Sequence, residues 1–344
     1  MNRCVMFLVA AVLPAWLPVA AHGWNSIGHM AVSKLAYDRL SDGQKTRLFG
    51  LLKSHPHYEL FLAAGRPAEA AEVEWVIVRT SVWPDWVRPR DKGQQKDPRG
   101  AEVTRYNRPE DHYVNVPLID PKDADAFAGK TLIDPDLTNI LDALKQRSNE
   151  VRTKSTAAAD KAVALCWIFH LVGDIHQPLH NVAFFSNKFR KGDLGGNLFG
   201  VRAAGQLVKL HAFWDNVLGD DPNYADDSAN HQARIYREAL AVADGLRARE
   251  LTAAEQALLI KNTTFASWSQ EGYELAKTVG YRKSGPDGQT VPLAGVVVPF
   301  KGPIPDEAQE VGEDYIKTAR AVAEARAVLA SHRLAQRMQA LLGK

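Results

Sequence analysis

Residues 167–180, Trp-Ile-Phe-His-Leu-Val-Gly-Asp-Ile-His-Gln-Pro-Leu-His, constrain this chain more than any other stretch, because ligand-type side chains interrupt an otherwise apolar helical run. His170 and Asp174 lie four apart, so a helix sets both heads on one face. Pro178 ends the helix and lets His180 return toward the same point from the following turn. A single histidine in such a run is ordinarily a core histidine with a satisfied partner. Two histidines and an aspartate that converge are costly to bury unless a cation receives them, so a metal site is the leading reading.

A second stretch repeats the device. Leu210-His211-Ala-Phe-Trp214-Asp215 again sets His and Asp at i and i+4, with Leu, Phe and Trp to pack behind them. Two such pairs on apolar helices suggest one polymetal cluster fed by two facing helices. Imidazole plus carboxylate suits zinc, and ligand type alone leaves manganese and iron open. Cys166, four residues before His170 on the same side of the helix, is a packing neighbour or a further ligand.

The first 23 residues carry Arg3, an apolar run from Val5 to Ala21 and small residues at Ala21 and Gly23, the pattern of a cleaved secretory signal. Pro14 and Pro18 make that run a poor membrane span, and no later window of about 18 apolar residues exists. The expected product is exported. Cleavage fits after Ala21 or after Gly23. Only the second makes Trp24 the new terminus, whose α-amino group and carbonyl form a natural bidentate chelate with His29 five residues on. The alternative is a buried Trp24 anchor and a His29 that merely starts a helix. Cys4 leaves with the signal, so Cys166 has no partner for an internal disulfide, and metal becomes a candidate staple. Removing Arg3 lowers the formal charge from +2 to +1, which excludes a global basic field for a polyanion partner; any such attraction must be local.

The remaining stretch of roughly 320 residues is long enough for one large domain or two. No Gly/Ser-rich or charge-block linker divides it, and no repeat appears beyond the two His-x-x-x-Asp pairs. Helical periodicity covers Met30 to Leu40, Thr46 to Leu52, Glu69 to Val82, Leu137 to Val151, Ala157 to Ile175, Gln232 to Arg247, Ala253 to Lys261 and Ala308 to Leu342. Ser41-x-x-Gln44 and Thr252-x-x-Glu255 read as capping boxes. Strand signals are few, Val291 to Phe300 being the best. We expect an all-α fold: a single mainly helical domain over 24–344 with long functional loops and little β structure.

In Val82-Trp83-Pro84-Asp85-Trp86-Val87-Arg88 the proline should end a helix and present Asp85 on the next turn, as a ligand or as a plain turn residue. Asp111-His112-Tyr113-Val114-Asn115-Val116 alternates like a short extended segment, with His112 and Val114 on one side and Tyr113 and Asn115 on the other. An aromatic ring beside an amide could hold a nucleobase by stacking and edge contacts, or be a half-buried Tyr with a turn-capping Asn.

Taken together, Trp24-Asn-x-x-Gly-His29, Trp83-x-Asp85-x-x-Arg88, Asp111-His112-Tyr-x-Asn115, His170-x-x-x-Asp174-x-x-Gln-Pro-Leu-His180, Gly192-Asp-x-Gly-Gly-Asn197 and Leu210-His211-x-x-Trp214-Asp215 resemble the S1/P1 family of zinc-dependent single-strand-specific nucleases, in the family's order. Tyr315 and His332-Arg-Leu-Ala are similar to the family's last helix. The resemblance implies three zinc ions per chain: one on Asp85, His112, His170 and Asp174; a second on the Trp24 amino nitrogen and carbonyl, His29 and the other Asp174 oxygen; a third on His180, His211 and Asp215. It also moves the expected cleavage to Gly23. The activity it implies is hydrolysis of single-stranded DNA and RNA at the P–O3′ bond, leaving 5′-phosphates, with 3′-nucleotidase activity. Asp85 would serve catalysis, Arg88 and Asn197 would contact the phosphate, and Tyr113 with Asn115 would hold the base. The alternatives are an ion-paired Arg88 and an Asn197 that only follows a glycine turn.

Fungal members commonly have Phe and Asp where this chain has Tyr113 and Asn115, and an amide both donates and accepts, so base preference is open. They also carry disulfides absent here, which suggests a bacterial, periplasmic or extracellular protein. Asn262-Thr-Thr is a sequon expected to stay unmodified. Zinc phospholipase C resembles the same family, and a lipid enzyme is the alternative function. Against it, Arg88 to Arg108 holds seven Lys/Arg with Asp91, Asp97 and Glu102, and Lys188, Arg190 and Lys191 lie near Asn197. Such a basic lip suits a strand, although charged loops are often only solvated. The expected partners are single-stranded nucleic acid and 3′-nucleotides, with no stable membrane association and a monomeric state.

Overall fold

Local signals start the first two helices. Asn25 caps α1 (Ser26–Asp38), its side-chain oxygen accepting the Ile27 and Gly28 N–H groups. The Ser41/Gln44 box starts α2 (Asp42–Leu52) a turn earlier than the apolar period at Thr46 indicates. In the computed structural model, which describes residues 23–90, 95–221, 223, 226–285, 289–299 and 305–343, the chain continues through α3 (Glu72–Thr80), the one-turn α4 (Trp83–Trp86) and α5 (Ala101–Thr104), then α6 (Ile140–Arg152) and α7 (Ala158–Asp174). The short α8 (Leu210–Asp215), α9 (Ala229–Arg247), α10 (Ala253–Lys261), α11 (Phe265–Leu275) and the long α12 (Glu313–Leu342) follow. The expected box at Thr252/Glu255 starts α10.

Every α7 residue from Ala162 to Asp174 is buried. A helix that is apolar all round belongs at the centre, and α1, α2, α3, α4, α6 and α12 all pack on α7. The principal core therefore surrounds it, with Trp24, Trp75, Trp83 and Trp167 among its largest buried side chains. A second core gathers Leu179, Phe199, Leu210, Trp214, Tyr281 and Tyr315. His170 and Asp174 border the first core, and His180 and His211 the second, so the polar residues sit where the two cores meet.

The strands are short. β1 (Pro117–Ile119) runs parallel to β2 (Ala183–Phe185). β3 (Phe199–Ala203) and β4 (Gln206–Lys209) form a hairpin turned by Ala204 and Gly205, both at positive φ as a two-residue turn of this hand requires, and β4 leads straight into α8. β5 (Arg282–Ser284) pairs β6 (Thr290–Pro292), and β7 (Val296–Val297) pairs β3.

Three local expectations are corrected. Val291 to Phe300 is not one strand: β6 ends at Pro292, which has no N–H to continue a ladder, β7 joins a different sheet, and Phe300 lies outside the described residues. The last helix begins at Glu313, not Ala308, because Arg202 N–H donates to the Gln309 carbonyl and Val311 N–H to the Arg202 carbonyl, both at 2.8 Å, so β3 claims that segment. Pro84 does not follow a helix end at Val82: α3 stops at Thr80, and Pro84 with Asp85 lies in the separate turn α4. Of the expected signal segment 1–23, residues 1–22 lie outside the described residues. No described helix is long and apolar enough to cross a membrane.

Candidate metal centre

Backbone carbonyls decide which imidazole nitrogen faces the cluster. α3 ends by leaving the Ser81 carbonyl free of helical bonding, and His170 Nδ1–H donates to it at 2.7 Å. His180 Nδ1–H donates to the His112 carbonyl and His211 Nδ1–H to the Gly195 carbonyl, each at 2.6 Å. In all three rings Nε2 is therefore the lone-pair atom, the arrangement that presents imidazole to a metal. His176 uses the same device against Val172, but its Nε2 is taken by Arg333 at 2.9 Å, so it stays outside the cluster.

The ligand-type atoms converge in three groups, each with its members within 4.8 Å of one another: His29, His170 and Asp174; Asp85, His112 and His170; and His180, His211 and Asp215. His170 is common to the first two, and Asp174 reaches from the first to His112 of the second. Its Oδ2 lies 2.9 Å from His112 Nδ1 and 3.1 Å from His170 Nε2, and its Oδ1 lies 3.2 Å from His29 Nε2. His29 stacks on His170 with ring centroids 4.1 Å apart. Gly173 permits that approach, since a Cβ there would lie 2.6 Å from His29 Nδ1. Asp85 Oδ1 stands 3.7 Å from His170 Nε2 and 2.7 Å from the Arg88 guanidinium. Trp24 is fully buried, and a Cβ on Gly23 would overlap Asp174 Oδ1, so the chain entering Trp24 lies directly against that carboxylate.

These residues fit bound cations. His180 Nε2 and His211 Nε2 approach to 3.1 Å with Asp215 Oδ2 3.5 Å from the latter. Two imidazole acceptors and a carboxylate facing one another repel unless a cation lies among them. Burial pushes the Asp215 carboxyl well above the usual range, against the pull of the Gln177 amide that donates to it at 2.7 Å. His29 Nε2 and Asp174 Oδ1, which face each other at 3.2 Å, are buried without hydrogen-bond partners. Burial, then Arg88, depresses His112 to about 3, and burial, then His170, lowers His29, which keeps both rings in the neutral, metal-binding form. Burial also opposes charge on Asp174, but His170 and His180 outweigh it and hold the carboxyl well below its ordinary value. Cys166 is buried beside Thr80 with its thiol pushed well up by burial and joins none of the three groups, so it is a packing neighbour and not a ligand.

The other expected residues fall around this centre. His112 closes a 3-10 turn, Pro109–His112, so only Tyr113 onward is extended, which corrects the expected run from Asp111. Tyr113 follows His112 directly, and Val114 N–H donates to the His180 carbonyl at 2.8 Å, which ties the Tyr113–Asn115 segment to the cluster. Both side chains are half-buried. The Asn197 side chain is buried, and its amide donates to the Leu194 carbonyl at 3.1 Å, so it braces its own turn. Four of the seven cations between Arg88 and Arg108 are ion-paired: Arg88 with Asp85, Arg90 with Asp227, Arg99 with Asp97 and, at the exposed surface, Arg105 with Glu102. Lys92 lies outside the described residues.

Sequence reasoning passed over two residues that the fold brings in. Asp193 is fully buried, accepting from Phe184 N–H at 2.8 Å and Tyr281 O–H at 2.7 Å, and it anchors the turn Gly192–Gly196. Gly195 in that turn has φ +60, and a Cβ would lie 2.4 Å from the Leu179 carbonyl, so glycine is required where the His211 acceptor is presented. Asn216, next to Asp215, lines a cavity together with Asp85 and Asp215, and its amide is held by Asn25 and Ala212.

Comparison with known proteins gives a concordant result. The family model described as S1/P1 Nuclease matches residues 24–343. The chain is similar to Endonuclease 2 of Arabidopsis thaliana, 26% identical over 232 residues that cover 63% of this chain and 64% of that protein. It is similar to Endonuclease 3 of the same plant, at 24% identity over 62% of this chain and 60% of the relative. Nuclease S1 of Aspergillus oryzae is 21% identical over 61% of this chain and 62% of its own length. The chain thus spans under two thirds of each of these relatives.

Proposed function

Because the chain belongs to the S1/P1 nuclease family, we propose that it is an exported, zinc-dependent phosphodiesterase that cuts single-stranded DNA and RNA at the P–O3′ bond, leaves 5′-phosphates, and also removes 3′-phosphates from nucleotides. The observation that carries this reading is the convergence of three carbonyl-oriented histidines, His29, His112 and three aspartates into adjoining groups that could hold cations. The signal would be removed after Gly23, leaving 24–344 as the nuclease domain. This reading draws support from Gly23 lying against Asp174 and from a family match that starts at Trp24.

Zinc ions held there by Trp24, His29, Asp85, His112, His170, Asp174, His180, His211 and Asp215 would ionise water near neutral pH and draw charge from the phosphoryl and leaving oxygens. The chain's own residues supply the rest. Arg88, buried and oriented by Asp85, presents a planar guanidinium to the phosphoryl oxygens. Tyr113 stacks on the base preceding the scissile bond, and Asn115 reads its edge. The carbonyls of Ser81, His112 and Gly195 hold the imidazoles in one tautomer, so no reorganisation is needed as charge develops. Asn197 contributes through the turn it braces, which carries the Gly195 acceptor.

Incubating the zinc-loaded protein beginning at Trp24 with single-stranded DNA, RNA, duplex DNA, 3′-AMP and phosphatidylcholine tests the proposal. Turnover of both single strands and of 3′-AMP is expected. Turnover of phosphatidylcholine alone would replace it with the phospholipase reading, and turnover of nothing would leave a metal-binding protein.

A further inference from the structure

Two segments leave the metal ligands side by side, one after His112 and one after His180. Val114 N–H donates to the His180 carbonyl at 2.8 Å, Ala183 N–H to the Val116 carbonyl at 3.0 Å and Asp120 N–H to the Phe185 carbonyl at 2.9 Å, so β1 and β2 run outward together. Where they end, Phe185 and Phe127, buried with ring centroids 5.8 Å apart, close the floor of a groove of about 260 Å³. Lys130, Arg190 and Lys191 line it and are exposed. Lys130 donates to the Ala126 carbonyl at 2.6 Å and Arg190 to the Asn187 amide oxygen at 3.2 Å, and none of the three cations forms an ion pair among the described residues. No carboxylate belongs to the wall, although Asp125, Asp134 and Asp136 lie in the same loop. Asp123 is engaged with the backbone and side-chain N–H groups of Asn187, and Asp120 with Lys122 at 3.0 Å. Three cations converging on one acid-free concavity attract a polyanion.

Resting on the nuclease reading, we propose that this groove is a remote subsite for the single strand on the 5′ side of the scissile bond, with Lys130, Arg190 and Lys191 on its phosphates. Tyr113 holds the base preceding that bond, and the chain from Tyr113 leads through β1 to the groove. A strand that continues past Tyr113 along this pair is therefore its 5′ part. His180 and Phe185 are five positions apart, about 17 Å at about 3.3 Å per residue. A stacked strand, at roughly 3.4 Å per nucleotide, spans that with about five nucleotides, and an extended one with fewer. A mononucleotide at the cluster does not reach the groove. Lys188, which donates to the Gly295 carbonyl at 3.3 Å, is not part of the wall and serves as the control.

The test follows initial release of inorganic phosphate from 3′-dTMP and from hexathymidylate carrying a 3′-phosphate, by the zinc-loaded protein at several salt concentrations. The scissile bond is the same in both, and only the hexamer reaches the groove. In the parent, log kcat/KM for the hexamer should fall with log salt more steeply than for 3′-dTMP by about 2, the slope of three phosphate contacts on a single strand. The triple variant Lys130→Ser, Arg190→Ser, Lys191→Ser should lose that excess and turn over 3′-dTMP as the parent does, and Lys188→Ser should keep it. Neutral methylphosphonates at the three linkages nearest the 5′ end should remove the excess from the parent and have no further effect in the triple variant. That arm needs no variant, so it decides the matter if the triple variant folds poorly. Equal slopes for the two substrates in the parent, an unaltered slope in the triple variant, an equal loss in Lys188→Ser, or indifference to the methylphosphonates would each overturn the subsite. Failure of the parent to release phosphate from either substrate would overturn the nuclease reading beneath it.

Discussion

Asp174 touches His29, His112 and His170 through its two oxygens at 2.9 to 3.2 Å, so it is the carboxylate that ties these three imidazoles together. Asp174→Asn should remove metal and nearly all activity, whereas Tyr113→Ala should keep its zinc and weaken substrate by about 1 to 3 kcal/mol for the lost stack. Metal analysis beside KM separates the two, and equal effects would contradict the roles assigned. Asp193 gives a pH test. Burial raises its carboxyl from 3.8 to about 6, against hydrogen bonds from Tyr281, Phe184 and Gly196. A raised carboxylate contributes its full stability below the unfolded value and loses it as pH climbs through the folded one. The parent should therefore lose about 2 kcal/mol relative to Asp193→Asn between pH 4 and pH 6. Denaturation midpoints of the two proteins that stay parallel across that window would contradict this. His170 and Asp174 were legible in the sequence because helix geometry makes i and i+4 neighbours without knowledge of the fold. The role of Asp193 was not, because its partner Tyr281 lies 88 positions away.

α7 was readable as an element because its apolar run is local, although it stops at Asp174, before Pro178 opens a separate 3-10 turn, and the boxes at Ser41 and Thr252 marked helix starts for the same reason. The start of α12 was not, since Gln309 and Val311 are claimed by β3, a contact no periodicity announces. What holds α11 and α12 against the end of α7 was equally hidden. Glu271 on α11 accepts from Arg326 and from Arg333 at 2.6 and 2.8 Å, and these arginines reach the His176 carbonyl and ring. Burial opposes its charge, yet Arg333 and Arg326 outweigh that and hold the carboxyl below its usual value. Glu271→Gln leaves two buried guanidinium groups without a counterion and should cost about 3 to 5 kcal/mol in urea unfolding. Arg320→Ala, which breaks an exposed pair with Glu324 on the same α12, should cost no more than about 1 kcal/mol. Similar losses would show that the buried network does not clamp the helices.

For the molecule as a whole, the sequence supplied the helical class and the order of the ligand motifs, but not which acids the lip arginines meet. Four arginines of the lip, Arg88, Arg90, Arg99 and Arg105, are committed to Asp85, Asp227, Asp97 and Glu102, and Asp227 comes from a segment distant in the chain. The two cores meet at the cluster, and its fit to cations rests on the facing imidazoles of His180 and His211. The most direct measurement is the end chemistry of a single-stranded oligonucleotide cut by the protein beginning at Trp24, with its zinc content determined on the same sample. The account predicts about three zinc ions per chain and fragments with 5′-phosphate and free 3′-hydroxyl ends, both lost in Asp174→Asn. Fragments ending in 3′-phosphate, or full cutting by protein stripped of metal, would contradict it.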